Sequence, residues 1–277
     1  MKFTSATQLK DWIKNKSKQT GVPVNLLLRS YMMERLLERI SLSHYRENMI
    51  LKGGFLIAAM VGIDRRSTMD MDATVKGLPV SRERIEEILL EVISVDASDG
   101  VSFEIQDIKN IHELSEYDDF RVSIRAAFYT VRTDMKIDIT TGDTIFPHAI
   151  EYPFKLMFED RTIPVMAYNL YTILAEKIET ILSRNVTNSR GRDFYDAYML
   201  LSINRDTLSK PELLHALHVK AEERNSVSYI ENNAKHLQEI ADSPEIAKIW
   251  AVYARNYPYA KGIALPEILV LIAWALE

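Results

Sequence analysis

LKGGFLIAAMVGIDRRSTMDMDATV, residues 51–75, combines a glycine pair inside an apolar run with two aspartates, Asp70 and Asp72, set one residue apart in what otherwise reads as a buried strand. In a strand, residues i and i+2 point to the same side, so Asp70 and Asp72 project together while Met69, Met71 and Ala73 face the other way. Two like charges held close repel and lose hydration, so something must compensate. A divalent cation does this directly: Mg²⁺ takes one or two carboxylates together with water and the phosphates of a nucleotide. A strand with one wet face would carry the same pair without any ligand. Gly53-Gly54 lies where a strand turns into a helix, and the missing Cβ atoms let backbone N–H groups approach a phosphate at the helix start. Arg65, Arg66, Ser67 and Thr68 add positive charge and hydroxyl donors just before the aspartates. Such donors suit a polyphosphate, although a surface turn would tolerate them equally.

Working outward, "NMILK" reads as a short strand, "GGFLIAAMVG" as a turn into a helix and "MDMDATV" as a strand. "SRERIEEILLEVIS" is a helix with Ile85, Ile88, Leu89 and Val92 on one side. Three extended segments follow, "VSFEIQDI", "FRVSIRAAFYT" and "DMKIDITT", rich in β-branched and aromatic residues with alternation. The order β-α-β-α-β-β-β predicts a mixed sheet with helices packed on it. Asp138, in "KIDIT", lies on the last of these strands; if that strand neighbours "MDMDATV", three carboxylates converge and a two-metal site becomes feasible.

Residues 5–47 predict a helical arm, with Leu9, Trp12 and Ile13 on one face, a break at "TGVP", and Leu26, Leu27, Tyr31, Leu36, Leu37 and Ile40 beyond it. Past "FPHAIEYPFKLMFEDRTIPVM" the pattern returns to helix in segments bounded by Pro, Gly, Ser or Asn. The expected fold is therefore α+β: an arm over 1–47, an α/β core over 48–165 and a helical C-terminal domain over 166–277.

Two helical motifs carry further charge. In "AEKIETILSR", Lys177 and Arg184 are seven apart and share a helix face, as a phosphate-binding pair or as a solvated cationic stripe. In "RGRDFYDAY", Asp193 and Asp196 are three apart; either could act as a base, or pair with Lys177 or an arginine, while Arg190 and Arg192 could steer phosphate. His215 and His218 in "HALH" have no evident third ligand and read as surface, and His148 has no partner in the sequence. Trp250, Tyr253, Tyr257 and Tyr259 fall at helical spacing and read as core.

The chain has 277 residues, 47% hydrophobic and 26% charged, and a net charge of −5, which argues against coating nucleic acid through bulk positive charge. It contains no cysteine, which excludes disulfides, thiolate metal sites and cysteine nucleophiles and fits a cytoplasmic location. The N-terminus lacks the apolar core of a signal peptide, and no tract approaches the roughly 18 consecutive apolar residues of a membrane helix.

"GGF…GIDRRSTMDMD", "KIDIT", "AEKIETILSR" and "RGRDFYDAY", in this order and at these distances, resemble the AbiEii/AbiGii toxin family of nucleotidyltransferases, a DNA polymerase β-type branch that includes the MenT toxins. The resemblance spans about residues 20–205. It implies a Mg²⁺-dependent (or Mn²⁺-dependent) transfer of a nucleotide from an NTP to an acceptor, within type IV toxin–antitoxin or abortive-infection systems active in phage defence. Several relatives modify the 3′ end of tRNA, and the usual partner is a neighbouring winged-helix antitoxin. Carried over by position, Gly53 and Gly54 form the glycine turn, with Gly standing where nucleotidyltransferases at large often have a hydroxyl residue. Arg66, Thr68, Asp70 and Asp72 match R-x-[ST]-x-D-x-D, and Asp138 takes the place of the third polymerase-type carboxylate. The resemblance implies Asp70, Asp72, Lys177 and Asp193 as catalytic, and Arg184, Arg190, Arg192 and Asp196 as nucleotide-binding. An acceptor on protein, giving an AMPylation-like reaction, and a catalytically silent NTP- or RNA-binding module remain the alternatives.

Overall fold

The computed structural model describes residues 3–111 and 119–277. It divides into two compact units, Met1–Asp143 with Ala149–Ala167, and Thr144–His148 with Tyr168–Glu277.

The first unit opens with α1 (Ala6–Thr20) and α2 (Val24–Leu42). Ser5 caps α1 by accepting from Gln8 N at 3.2 Å, and Gly21, at φ +73°, ends it in the left-handed conformation that glycine adopts without strain. Helix α1 buries Leu9 and Ile13, whereas Trp12 stays half exposed and meets Phe3 and Phe158 edge-on. Then follow β1 (Met49–Lys52), α3 (Gly53–Val61), β2 (Met71–Val75), α4 (Arg82–Ser94), β3 (Val101–Asn110), β4 (Phe120–Phe128) and β5 (Val131–Thr141), in the order the sequence predicts.

Two further strands, β6 (Ile150–Lys155) and β7 (Thr162–Ala167), complete a seven-stranded sheet of order β3-β4-β5-β2-β1-β7-β6. Periodicity misses them because each carries a proline, and Pro153 and Pro164 face each other in the register. Strand β6 is an edge, where a missing N–H is tolerated, and β7 reaches β1 through Leu51 and Ala167, beyond Pro164. Strand β2 is also shorter than expected: it starts at Met71, Asp70 sits in the bend before it, and Met69 is 47% exposed rather than turned into the core.

A charged network ties α2 to the loop after β6. Arg35 pairs with Glu38 and Glu159 at 3.0 and 2.9 Å, and Arg161 reaches Glu38 at 2.7 Å and Glu159 at 2.9 Å. Glu34 accepts from Met157 N at 3.1 Å, and its burial pushes its pKa from the ordinary 4.5 up to about 8, against the opposing pull of that N–H and of Arg35. Desolvation also acts on Glu159, but Arg161 and Arg35 outweigh it and hold its pKa at about 2. A carboxyl whose folded pKa lies above its unfolded one stabilises fully below the unfolded value and loses that contribution as pH rises. Glu34 should therefore cost stability progressively from about pH 4.5 to pH 8. Glu159 contributes above 4.5 and is lost only as pH falls toward 2. Thermal melts from pH 5 to pH 9 should show a falling Tm that Glu34→Gln flattens; an unchanged slope in the variant would remove this assignment.

The second unit is helical: α5 (Leu170–Arg184), α6 (Gly191–Asn204), α7 (Lys210–Glu223), α8 (Val227–Glu231), α9 (Asn233–Ala241), α10 (Pro244–Asn256) and α11 (Leu265–Leu276). Asn169 caps α5, accepting from Thr172 N at 2.9 Å while its amide donates to the carbonyls of Phe146 and His148. The segment "SYIENNAKHLQEIA" is split into α8 and α9 at Asn232, whose side chain turns back to donate to Ser228 O. Among the described residues no helix is long and apolar enough to cross a membrane.

Candidate active site

The sheet register sets four charged residues in one row. Lys52 faces Asp72 across β1 and β2, Asp72 faces Asp138 across β2 and β5, and Asp138 faces Arg121 across β5 and β4. Directly opposed residues project on the same face, so the row reads cation, anion, anion, cation. Met71, Ala73, Ile137 and Ile139, on the other side, are fully buried, which fixes the register, since a slip by one residue would bury the acids instead.

Both ends of the row are clamped. Arg121 donates to the two oxygens of Asp138 at 2.7 and 2.6 Å, a bidentate fork. The bond to Asp138, and more distantly the charges of Asp70 and Asp72, raise the pKa of Arg121. Lys52, largely buried, donates to Asp143 at 2.6 Å, and Thr140 donates to the same Asp143 oxygen. Of the two central acids, Asp138 is thus gripped by Arg121, while the Lys52 beside Asp72 also holds Asp143.

The glycine turn lies against this row. Gly54 N donates to Asp72 Oδ2 at 3.3 Å at the start of α3, where the helix dipole favours negative charge. Gly53 has φ +65°, and a Cβ built there would run into the Asp72 carboxyl, with Cγ at 2.6 Å. A Cβ on Gly54 would meet Thr68 Oγ1 at 2.9 Å and Arg66 Nη2 at 3.1 Å. So Gly53, Gly54, Arg66, Thr68, Asp70, Asp72 and Asp138, seven positions singled out in the sequence, gather around one turn and one row. Gly53→Ala costs about 1–2 kcal/mol if the residue keeps its left-handed conformation, and its Cβ must displace Asp72. The expected outcome is a folded chain by circular dichroism with transfer activity reduced on the order of 10²-fold; unchanged activity would show that the turn does not hold Asp72 in place.

The third carboxylate differs from expectation in one respect. Asp138 neighbours Asp72 as predicted, but Arg121 occupies both its oxygens, and among the described residues no three acidic or histidine side chains form a ready metal cage. Sequence reasoning also missed Arg121, Lys52 and Asp143. A lysine closing the apolar strand "MILK" and the tight β4–β5 hairpin, which counts Arg121 opposite Asp138, were the available signals.

In the helical unit, Lys177 on α5 donates to Asp193 Oδ1 at 2.8 Å and lies 3.2 Å from Asp196 Oδ2, both on α6. The two aspartates are buried, and Asp193 Oδ2, itself buried, has no hydrogen-bond partner among the described residues. Asp193 sits in the first turn of α6, where a carboxylate is favoured. Arg184, Arg190 and Arg192 are exposed. His215 stacks on Phe146 at 4.2 Å, and His218 is exposed.

The motif order is matched by a family model, nucleotidyl transferase AbiEii toxin of type IV toxin–antitoxin systems, over residues 35–268. The chain belongs to the AbiEii toxin family. Two solved structures resemble this AbiEii chain along most of its length. One, described as a candidate nucleotidyltransferase from H. pylori, is 14% identical with a TM-score of 0.54, covering 92% of this chain and 94% of that one. The other, JHP933 from Helicobacter pylori, is 13% identical with a TM-score of 0.52, covering 91% and 90%. At these identities the likeness speaks to the fold. No curated protein matches the sequence. Membership of the AbiEii toxins makes this a nucleotidyl transferase with an NTP substrate and an antitoxin as partner.

Proposed function

We propose that this AbiEii chain moves a nucleotide from an NTP to the 3′ hydroxyl of tRNA, in the cytoplasm, under the restraint of a cognate winged-helix antitoxin. The observation that carries the reading is the pairing of Asp72 with the Gly53-Gly54 turn, beside Asp70, Arg66 and Thr68. The donor set suits Mg²⁺ or Mn²⁺, since Asp70 and Asp72 offer hard carboxylate oxygens and such ions need only one or two from the protein. Asp138, gripped by Arg121, would add its charge to theirs rather than a free ligand oxygen. When bound, the ion would polarise the α-phosphate and help ionise the attacking hydroxyl.

The chain's own groups supply the rest. The glycine turn leaves room for a phosphate beside the N–H groups of α3, and Arg66 and Thr68 offer donors to its oxygens. Lys177, oriented by two aspartates, is the assigned phosphate cation of the helical unit. Asp193 is the assigned proton acceptor there, through its unpaired Oδ2. Arg184, Arg190 and Arg192, all exposed, would steer the polyanionic substrates.

The test is incubation of the purified chain with each of the four α-labelled NTPs, Mg²⁺, total tRNA and total protein. Label in tRNA supports the proposal, and label in protein replaces it with protein nucleotidylation. Label in neither, with NTP still bound, makes the chain a silent binding module.

A further inference from the structure

The helical unit holds a groove of about 510 Å³ whose lining includes Gly191, Glu245, Lys248, Tyr253, Asn256 and Tyr257. Its size is that of a small-molecule site. Tyr253 packs against Gly191 so closely that a Cβ there would lie 2.7 Å from the Tyr253 Cβ. From Tyr253 the rings run in two directions: inward to Trp250, stacked at 5.6 Å, and outward to Tyr257 at 4.6 Å, which stacks on Tyr259 at 5.4 Å. Tyr259 in turn meets the buried Tyr195 at 4.8 Å. Trp250 is 5% exposed and donates to Ile263 O at 3.0 Å, whereas Tyr257 is 39% exposed. The set is therefore core at one end only, and the spacing that reads as core conceals a rigid ladder with an open rung.

Charge identifies what that rung receives. Lys248 on the groove and Arg190 and Arg192 on either side of Gly191 are exposed cations, against the one carboxylate of Glu245, in a chain that is acidic overall. A rigid aromatic face beside cations suits a planar, anionic ligand, and an unpaired nucleotide offers both a π-face and a phosphate. A paired base has no free face to give. We propose that this groove seats an unpaired nucleotide of a single-stranded nucleic acid, its base on Tyr257 and its phosphate toward Lys248 and Arg190. The proposal rests on the transferase reading in making that strand the acceptor. Gly191 precedes Asp193 by two residues, so the groove and the Lys177–Asp193–Asp196 cluster share the first turn of α6.

Fluorescence anisotropy of the full chain with a fluorescein-labelled single-stranded RNA 8-mer tests this, with a blunt duplex of the same sequence as competitor. Tyr257→Ala and Lys248→Glu should each weaken binding about tenfold, Tyr257→Phe should restore it, and single strand should win over duplex. Wild-type affinity in Tyr257→Ala, or preference for the duplex, would overturn the groove. Binding lost because Tyr257→Ala unfolds would show as a lost melting transition, and the exposed Lys248→Glu then decides: weakened binding by that folded variant supports the groove and wild-type binding overturns it. Asp70→Ala should bind RNA normally yet transfer nothing. Tyr257-dependent binding without any transfer would keep the groove and reject the enzyme, whereas intact transfer with Tyr257-independent binding would reject the groove alone.

Discussion

Asp72→Asn is expected to abolish nucleotide transfer, slowing it on the order of 10³-fold or more, while leaving the melting temperature of the ligand-free chain unchanged or raised. The first half follows from the role proposed for the carboxylate: an oxygen that holds the ion reaching the α-phosphate supplies several kcal/mol of transition-state stabilisation, and each 1.36 kcal/mol is about a factor of ten in rate. The second half follows from the sheet. Asp72 stands between Lys52 and Asp138 in the row, so the amide gives up attraction to the lysine as it relieves repulsion from the second acid, and it keeps the acceptor that Gly54 N uses. A site that gains stability when it loses function is one whose charges are kept for the reaction. Incorporation of labelled nucleotide at the wild-type rate would sink the assignment, and a large drop in melting temperature would make Asp72 a structural acid instead.

The second large effect is on stability. Lys177→Met should cost about 3–5 kcal/mol, because it leaves Asp193 and Asp196 buried together with their shared ammonium gone. Urea denaturation should show a lower midpoint with unchanged slope. The variant Lys177→Met/Asp196→Asn should regain most of the loss, since the remaining carboxylate no longer faces a second charge. Transfer should stay absent in both, as the cation assigned to the phosphates is missing from each. Equal stability of wild type and Lys177→Met would mean that water, not the lysine, satisfies the two acids.

Much of this molecule could be read from its residues, and the failures have physical reasons. The first nine elements of the sheet unit, α1 to β5, follow from apolar periodicity and from glycine and serine at the right boundaries, such as Gly21 after α1 and Ser81 before α4. Strands β6 and β7 could not, because Pro153 and Pro164 carry no donor and only the edge position and the short β1–β7 pairing make them tolerable. At the site, the glycine turn and the DxD pair announce themselves because carboxylates in a buried strand demand a reason. Their counterions are harder to read: Arg121 meets Asp138 only when residues are counted back across the β4–β5 hairpin, and Lys52 meets Asp72 through a β1–β2 pairing with α3 in between. The tyrosines show the reverse failure, where spacing alone could not tell that Tyr257 ends the ladder in solvent.

The row of Lys52, Asp72, Asp138 and Arg121 draws one residue from each of β1, β2, β5 and β4, and these strands are joined by pairings that span most of the first half of the chain. Long-range strand pairing of this kind is slow to assemble, because distant segments must find each other before any contact rewards the closure. A ribosome-bound chain that has not yet emitted residue 138 therefore lacks one quarter of the arrangement and the strand that flanks the acid pair. Assembly of the centre is deferred by topology: the row stays incomplete until synthesis has passed residue 138.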